Sequence, residues 1–232
     1  ARPTAGRGVS RLAWAAAGVR AAALQGLYGA IGRGEVAGFA GPAINSRALT
    51  YDAAQAVLRA GLASGAGAVI FEIARSEIDY TRQRPAEYAC AVTAAALKTG
   101  YRGPLFLQGD HFQVGAKKYA KDPGAEVKAV KDLIWEAIDA GFFNIDIDTS
   151  TLVDLTQTTV KKQQALNYGL AAEMTTMIRD LEPAGVTVSV GGEIGEVGGK
   201  NSTVEELHAF MEGYLETLRK NGATLKGISK IS

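Results

Sequence analysis

Asp110 and His111 stand side by side just beyond an apolar run, in Pro104-Leu105-Phe106-Leu107-Gln108-Gly109-Asp110-His111. A carboxylate can carry a proton, and an imidazole can carry one or ligate a metal. Only two histidines occur in the chain, which makes the placement of one here informative. Three more polar residues hold equivalent places after apolar stretches: Asn45 after Pro42-Ala43-Ile44, Asp146 within Phe143-Asn144-Ile145-Asp146-Ile147-Asp148, and Glu193 after Val186–Val190 and Gly191-Gly192. His111, Asp146 and Glu193 together offer one nitrogen and two oxygen donors, which suits a divalent metal such as zinc. Asp110 beside such a centre suits a general acid or base. Each residue also has a plainer use. Asp110-His111 could cap the next helix, and Asp146 could be a buried acid paired with a lysine.

Residues so far apart in sequence meet only if the fold brings them together. The apolar run before Asp110 predicts a strand buried on both faces. Further strands are expected over Val36–Ile44, Ala68–Ile73, Phe143–Asp148, Val186–Val190 and Gly227–Ser232. Helices are expected over Asp52–Ser64 with Thr50 as N-cap, Pro85–Leu97, Glu126–Ala140, Lys161–Leu181, and from Thr203 to Asn221. Lys117, Lys118 and Lys121 fall in a loop. This strand-helix alternation is the pattern of a parallel sheet. Polar residues at the carboxyl ends of several strands favour a closed (β/α)8 TIM barrel over an open sheet, with about six of its eight strands in this chain. Residues 1–33 read as an N-terminal leader and short helix, and 34–232 as the barrel domain. The leader is rich in arginine, and Glu35 is the first acid.

Composition narrows the function classes. Hydrophobic residues make up 47% and charged residues 21%, too apolar for a disordered chain. The net charge of +1 gives no general field for nucleic acid or an acidic membrane. No apolar run is long enough to span a bilayer. The single Cys90 excludes an intramolecular disulfide and fits a reducing, cytoplasmic compartment; its surroundings read as a helix interior. Gly192, Gly195 and Gly198 have neither dinucleotide nor phosphate-loop spacing, so this segment reads as a mobile loop over a site. Asn201-Ser202-Thr203 matches a glycosylation sequon, but helix capping by Thr203 with Glu206 explains it better.

In order, Pro42-Ala43-Ile44-Asn45, Gly109-Asp110-His111, Ile145-Asp146 and Glu193-x-Gly195-x-x-Gly198-Gly199 resemble class II, metal-dependent fructose- and tagatose-bisphosphate aldolases. The resemblance runs from about Gly34 to Ser232. It implies a lyase of glycolysis and related carbohydrate metabolism, cleaving a ketose 1,6-bisphosphate to dihydroxyacetone phosphate and glyceraldehyde 3-phosphate. His111 would be a zinc ligand, with Asp146 and Glu193 ligating at a second or alternate position. Asp110 would be the acid/base on the hydroxyl of the cleaved bond. Asn45 would contact the dihydroxyacetone phosphate part. The partner is then a phosphorylated sugar, and the family suggests a homo-oligomer, a dimer or tetramer. It also implies further strands and histidines after Ser232. Lys200-Asn201 stand where the family places acids. Two alternatives stay open: a divergent, non-catalytic barrel serving as a structural or binding subunit, and another metal-dependent phosphosugar enzyme.

Overall fold

The structure is a computed structural model and describes residues 15–39, 41–195 and 201–232. The first fourteen residues of the Arg-rich leader, and Glu196 to Lys200 of the expected mobile loop, lie outside the described residues. Two compact units are present. The first comprises Ala1–Asp110 and Glu136–Asn144; the second comprises His111–Trp135 and Ile145–Ser232.

In the first unit, β1 (Val19–Ala21), β2 (Ala43–Asn45), β3 (Ile70–Ala74) and β4 (Gly103–Gln113, which runs on into the second unit) pair in parallel. β3 lies between β2 and β4, and β1 pairs with the start of β4. The helices are α1 (Gln25–Gly32), α2 (Thr50–Ser64), α3 (Arg75–Thr81) and α4 (Pro85–Thr99). Local chemistry sets their limits. Pro85 opens α4 with its fixed φ, and Gly100 closes it in the left-handed region at φ 75°. Leu105 to Gly109 of β4 are all buried, as expected for a strand covered on both faces. Asn144, fully buried, ties this unit together: its Oδ1 accepts from Leu24 N at 2.8 Å, and its Nδ2 donates to Leu107 O at 3.0 Å.

In the second unit, β5 (Asn144–Asp148, entering from the first), β6 (Ser189–Gly192) and β7 (Lys230–Ile231) follow one another, and β6 and β7 are parallel. The helices are α5 (Ala116–Lys121), α6 (Pro123–Ala140, which ends in the first unit), α7 (Val160–Gln163), α8 (Ala165–Leu181) and α9 (Val204–Asn221). On α6, Val130, Ile134, Ala137 and Ile138 are buried while Lys128 and Asp132 are exposed, as its 3.6-residue period requires. Gly141, at φ 98°, takes the chain out of α6. Thr203 and Glu206 form the expected capping box of α9, with Thr203 N donating to Glu206 Oε2 at 2.8 Å.

The architecture is α/β with parallel strand pairing, and β2 to β7 match the six expected strands in order. Several boundaries differ. The expected leader contributes β1. The first expected strand shrinks to Ala43–Asn45, and the last to Lys230–Ile231. The helix expected over Lys161–Leu181 is broken at Gln164. The three lysines read as a loop sit on α5, because Ala116-Lys117-Lys118-Tyr119-Ala120-Lys121 contains no helix breaker. Thr50 lies inside α2 rather than at its cap, and its hydroxyl donates to Ser46 O at 3.3 Å. Cys90, whose surroundings read as the interior of a helix and so as a small buried hydrophobe, lies on α4 as expected but is exposed.

Candidate functional site

β4 does not stop before Asp110. It continues through Asp110, His111 and Phe112 to Gln113, so the acid and the imidazole lie within the strand. Asp110 is level with Ala74, the last residue of β3. Asp110 belongs to the first unit and His111 to the second, and their side chains have different hydrogen-bond partners.

Asp110 belongs to a polar cluster of the first unit. Asn45, the last residue of β2, donates from Nδ2 to Asp110 Oδ2 at 2.9 Å. The same Nδ2 donates to Glu77 Oε2 at 3.0 Å. Glu77, in the first turn of α3, is only 5% exposed. Its Oε2 also accepts from Ala74 N at 2.9 Å, and its Oε1 pairs with Arg47 Nε at 2.7 Å. Deeper on β3, buried Glu72 accepts from Gln108 Nε2 at 2.5 Å. Two sequence-selected residues, Asn45 and Asp110, are thus brought together, and Glu77 joins them.

His111 has a positive φ of 40°, in the left-handed region that disfavours residues with a Cβ. Its Nδ1 lies 3.2 Å from Asp148 Oδ2. Asp148 is 2% exposed and accepts further bonds from Gln113 Nε2 at 2.6 Å and from Ser150 Oγ at 2.7 Å. Burial pushes the Asp148 carboxyl up, but the hydrogen bonds from His111, Ser150 and Gln113 together outweigh it, and the group ends below the usual carboxylate range. The 3.2 Å contact with a buried carboxylate orients the His111 imidazole through Nδ1.

Asp146, expected either as a metal ligand or as a buried acid paired with a lysine, has a lysine beside it. Its Oδ2 accepts from Lys230 Nζ at 2.8 Å, and the two side chains are 14% and 29% exposed. The carboxylate that reaches His111 is Asp148, two residues on. Glu193 follows β6 and is half-buried; its backbone carbonyl accepts from Asn167 Nδ2 at 2.9 Å. Among the described residues, no group of three or more His, Cys, Asp or Glu side chains is placed to hold a metal ion. A resident zinc needs about three protein ligands. The described donor set, with Asp146 held by Lys230, does not fit one. His208 is exposed on α9, away from any such role.

Sequence reasoning missed Glu77, Asp148 and Lys230. The signal for Asp148 was present, since a two-residue period puts Asp146 and Asp148 on one face of β5. Lys230 was legible as a lysine between apolar neighbours in Ile228-Ser229-Lys230-Ile231. Glu77 stands three residues after the strand-end Ala74, the N3 spacing of a cap, but without the Ser or Thr that marks one.

No protein-family model and no curated protein sequence matches this chain. Among solved structures, it is similar to a probable tagatose 6 phosphate kinase from Sinorhizobium meliloti 1021, with 20% identity and a TM-score of 0.59. The match covers 79% of this chain and 45% of that one, so the chain spans less than half the length of that protein. At this identity the likeness concerns the fold, and it agrees with the α/β architecture described above.

Proposed function

We propose that the chain is a lyase of the class II aldolase type. It cleaves a ketose 1,6-bisphosphate, fructose or tagatose, to dihydroxyacetone phosphate and glyceraldehyde 3-phosphate. A closed (β/α)8 barrel and a homo-oligomer belong to the same reading. The observation that carries it is the Asn45–Asp110 contact of 2.9 Å, which puts a partly buried carboxylate of β4, level with the end of β3, beside the amide that ends β2. The ordered motifs support it, and so does a structural neighbour named for a phosphorylated tagatose.

In this reading Asp110 takes the proton from the hydroxyl on the carbon beyond the scissile bond. That oxygen becomes the aldehyde as the carbon-carbon bond breaks, and the bonding pair passes to the ketone half as an enediolate. A proton from solvent adds at the enediolate carbon to give dihydroxyacetone phosphate, and Asp110 releases the proton it took to solvent, so the cycle closes. In the reverse direction Asp110 returns its proton to the new hydroxyl. Asn45 holds the carboxylate in place and contacts the dihydroxyacetone phosphate part. The ketone carbonyl must be polarised as the bond breaks, and His111, whose ring Asp148 braces, is the nitrogen donor that the resemblance assigns to the metal. Zinc enters only as part of the proposal, as the group that would polarise that carbonyl. The described donors do not form its site, and none of these steps passes through it.

The test is triose phosphate release from fructose 1,6-bisphosphate and tagatose 1,6-bisphosphate, read by a coupled assay. Asp110→Ala should cost roughly a hundredfold or more in turnover. Equal turnover in the variant would overturn the assignment. The Lys230–Asp146 pair, which engages a carboxylate that the resemblance assigns to the metal, favours a second reading, a divergent non-catalytic barrel serving as a structural or binding subunit. Saturable binding of either bisphosphate with no triose phosphate release would select it.

A further inference from the structure

We propose that Glu77 is a positioning residue that locks the Asn45 amide in one orientation. The lock makes Asn45 a donor to Asp110 and an acceptor toward substrate. This rests on the aldolase-type reading for its substrate, but not for its geometry.

The argument begins with the chemistry of an amide between two acids. Asn45 Nδ2 lies 3.0 Å from Glu77 Oε2 and 2.9 Å from Asp110 Oδ2. An ionised carboxylate only accepts, and an amide NH2 has two hydrogens to give. Turning the amide over would bring its carbonyl oxygen against both carboxylates and forfeit two charge-assisted hydrogen bonds. Nitrogen and oxygen are therefore assigned by chemistry as well as by coordinates.

Glu77 is built to hold this position. Ala74 N and Arg47 Nε bind its two oxygens at 2.9 and 2.7 Å, and its side chain is buried. It sits on the first turn of α3, which follows β3 directly, so strand and helix together fix its distance from Asn45. Both amide hydrogens of Asn45 are then committed. The atom left to recognise a ligand is Oδ1, which accepts only. Asn45 is thereby suited to a hydroxyl hydrogen of the ketose and not to a phosphate oxygen.

The test uses the 15N-labelled full chain, with the Asn45 side-chain amide assigned through its loss in Asn45→Ala. The wild type should show two inequivalent, slowly exchanging amide hydrogens. Glu77→Ala should speed their exchange at least tenfold, while Glu77→Gln, which keeps an acceptor, should restore most of the protection. Unchanged exchange in a folded Glu77→Ala would overturn the lock, and this readout needs no turnover. If Glu77→Ala does not fold, fast exchange of the Asn45 amide in the wild type would overturn it equally. Among active proteins, Glu77→Ala should lower kcat at least tenfold with KM changed less than threefold, and Glu77→Gln should recover most of kcat. A loss of folded fraction with kcat per folded molecule unchanged would leave Glu77 structural and overturn the positioning role. Dihydroxyacetone phosphate should shift the Asn45 amide signals and inorganic phosphate should not; a shift with phosphate would overturn the hydroxyl assignment. Failure of dihydroxyacetone phosphate to bind, with the exchange result intact, would sink the aldolase reading alone.

Discussion

Asp146 and Lys230 meet across an intervening strand. Asp146 is on β5, Lys230 is on β7, and β6 runs between them, yet Lys230 Nζ lies 2.8 Å from Asp146 Oδ2. Strands two positions apart are separated by about 9.5 Å. Lysine spans the gap because the β6 residue level with it is Gly191. A Cβ on Gly191 would overlap the Asp146 carboxylate and come within 3.0 Å of Lys230 Cε. The glycine is the space in which the ion pair sits.

Gly191→Ala should therefore destabilise the protein by about 1–3 kcal/mol, the usual cost of overpacking. In an Asp146→Ala background, with the carboxylate gone, the same substitution should cost less than half as much. Urea denaturation of the four proteins measures both. Equal costs in the two backgrounds would show that the glycine serves another purpose.

Tyr88 is fully buried in the first unit, and its hydroxyl donates to Glu72 O at 2.9 Å. Burial pushes this phenol well above its ordinary value near 10. The folded state thus favours the protonated form more than the unfolded chain does. The corresponding stability is fully present below about pH 10 and is lost as the pH climbs from there through the raised value. Alkaline denaturation curves should show a fall beginning near pH 10 that is shallower in Tyr88→Phe. At pH 7 that variant should lose about 1 kcal/mol for the missing hydrogen bond.

The strand-helix alternation was legible because it follows from local signals: apolar runs, Pro85 at a helix start, Gly100 and Gly141 at helix ends. The Asn45–Asp110 contact was legible in outline, since both residues end apolar stretches of a parallel sheet. The rest was not. Whether Asp146 or Asp148 faces His111 depends on strand register and on Lys230 claiming Asp146, and both are tertiary facts. Val19–Ala21 was missed as a strand because three residues carry no period. The exposure of Cys90 depends on which face of α4 is covered, and a helix with small residues on most sides does not announce it.

His111 pairs a strained backbone with a braced ring. Asparagine tolerates the left-handed region better than other residues with a Cβ, and β-branched residues tolerate it worst. His111→Val should be less stable than His111→Asn by about 1–2 kcal/mol, although both lose the imidazole. Thermal or urea unfolding compares the two directly. Equal stabilities would mean that the backbone relaxes here, and that β4 does not hold His111 in its positive-φ conformation.

The bridge at Asn45 makes the sharpest demand on stability. Asn45→Leu keeps the volume but removes both donors, so Glu77 and Asp110 lose the hydrogens set between them. A lost hydrogen bond to a buried charged group costs about 1.5–3 kcal/mol. Asn45→Asp keeps the shape but brings a third carboxylate toward the other two, and like charges at this distance repel. At pH 7 the stabilities should fall in the order wild type, Asn45→Leu, Asn45→Asp. Added salt should narrow the gap between the two variants, since screening weakens repulsion and leaves a missing donor missing. Urea midpoints at low and high ionic strength measure the order and the gap. An Asn45→Asp protein as stable as Asn45→Leu in low salt would show that the two acids do not act on residue 45 as charges, and the amide would then be filling space.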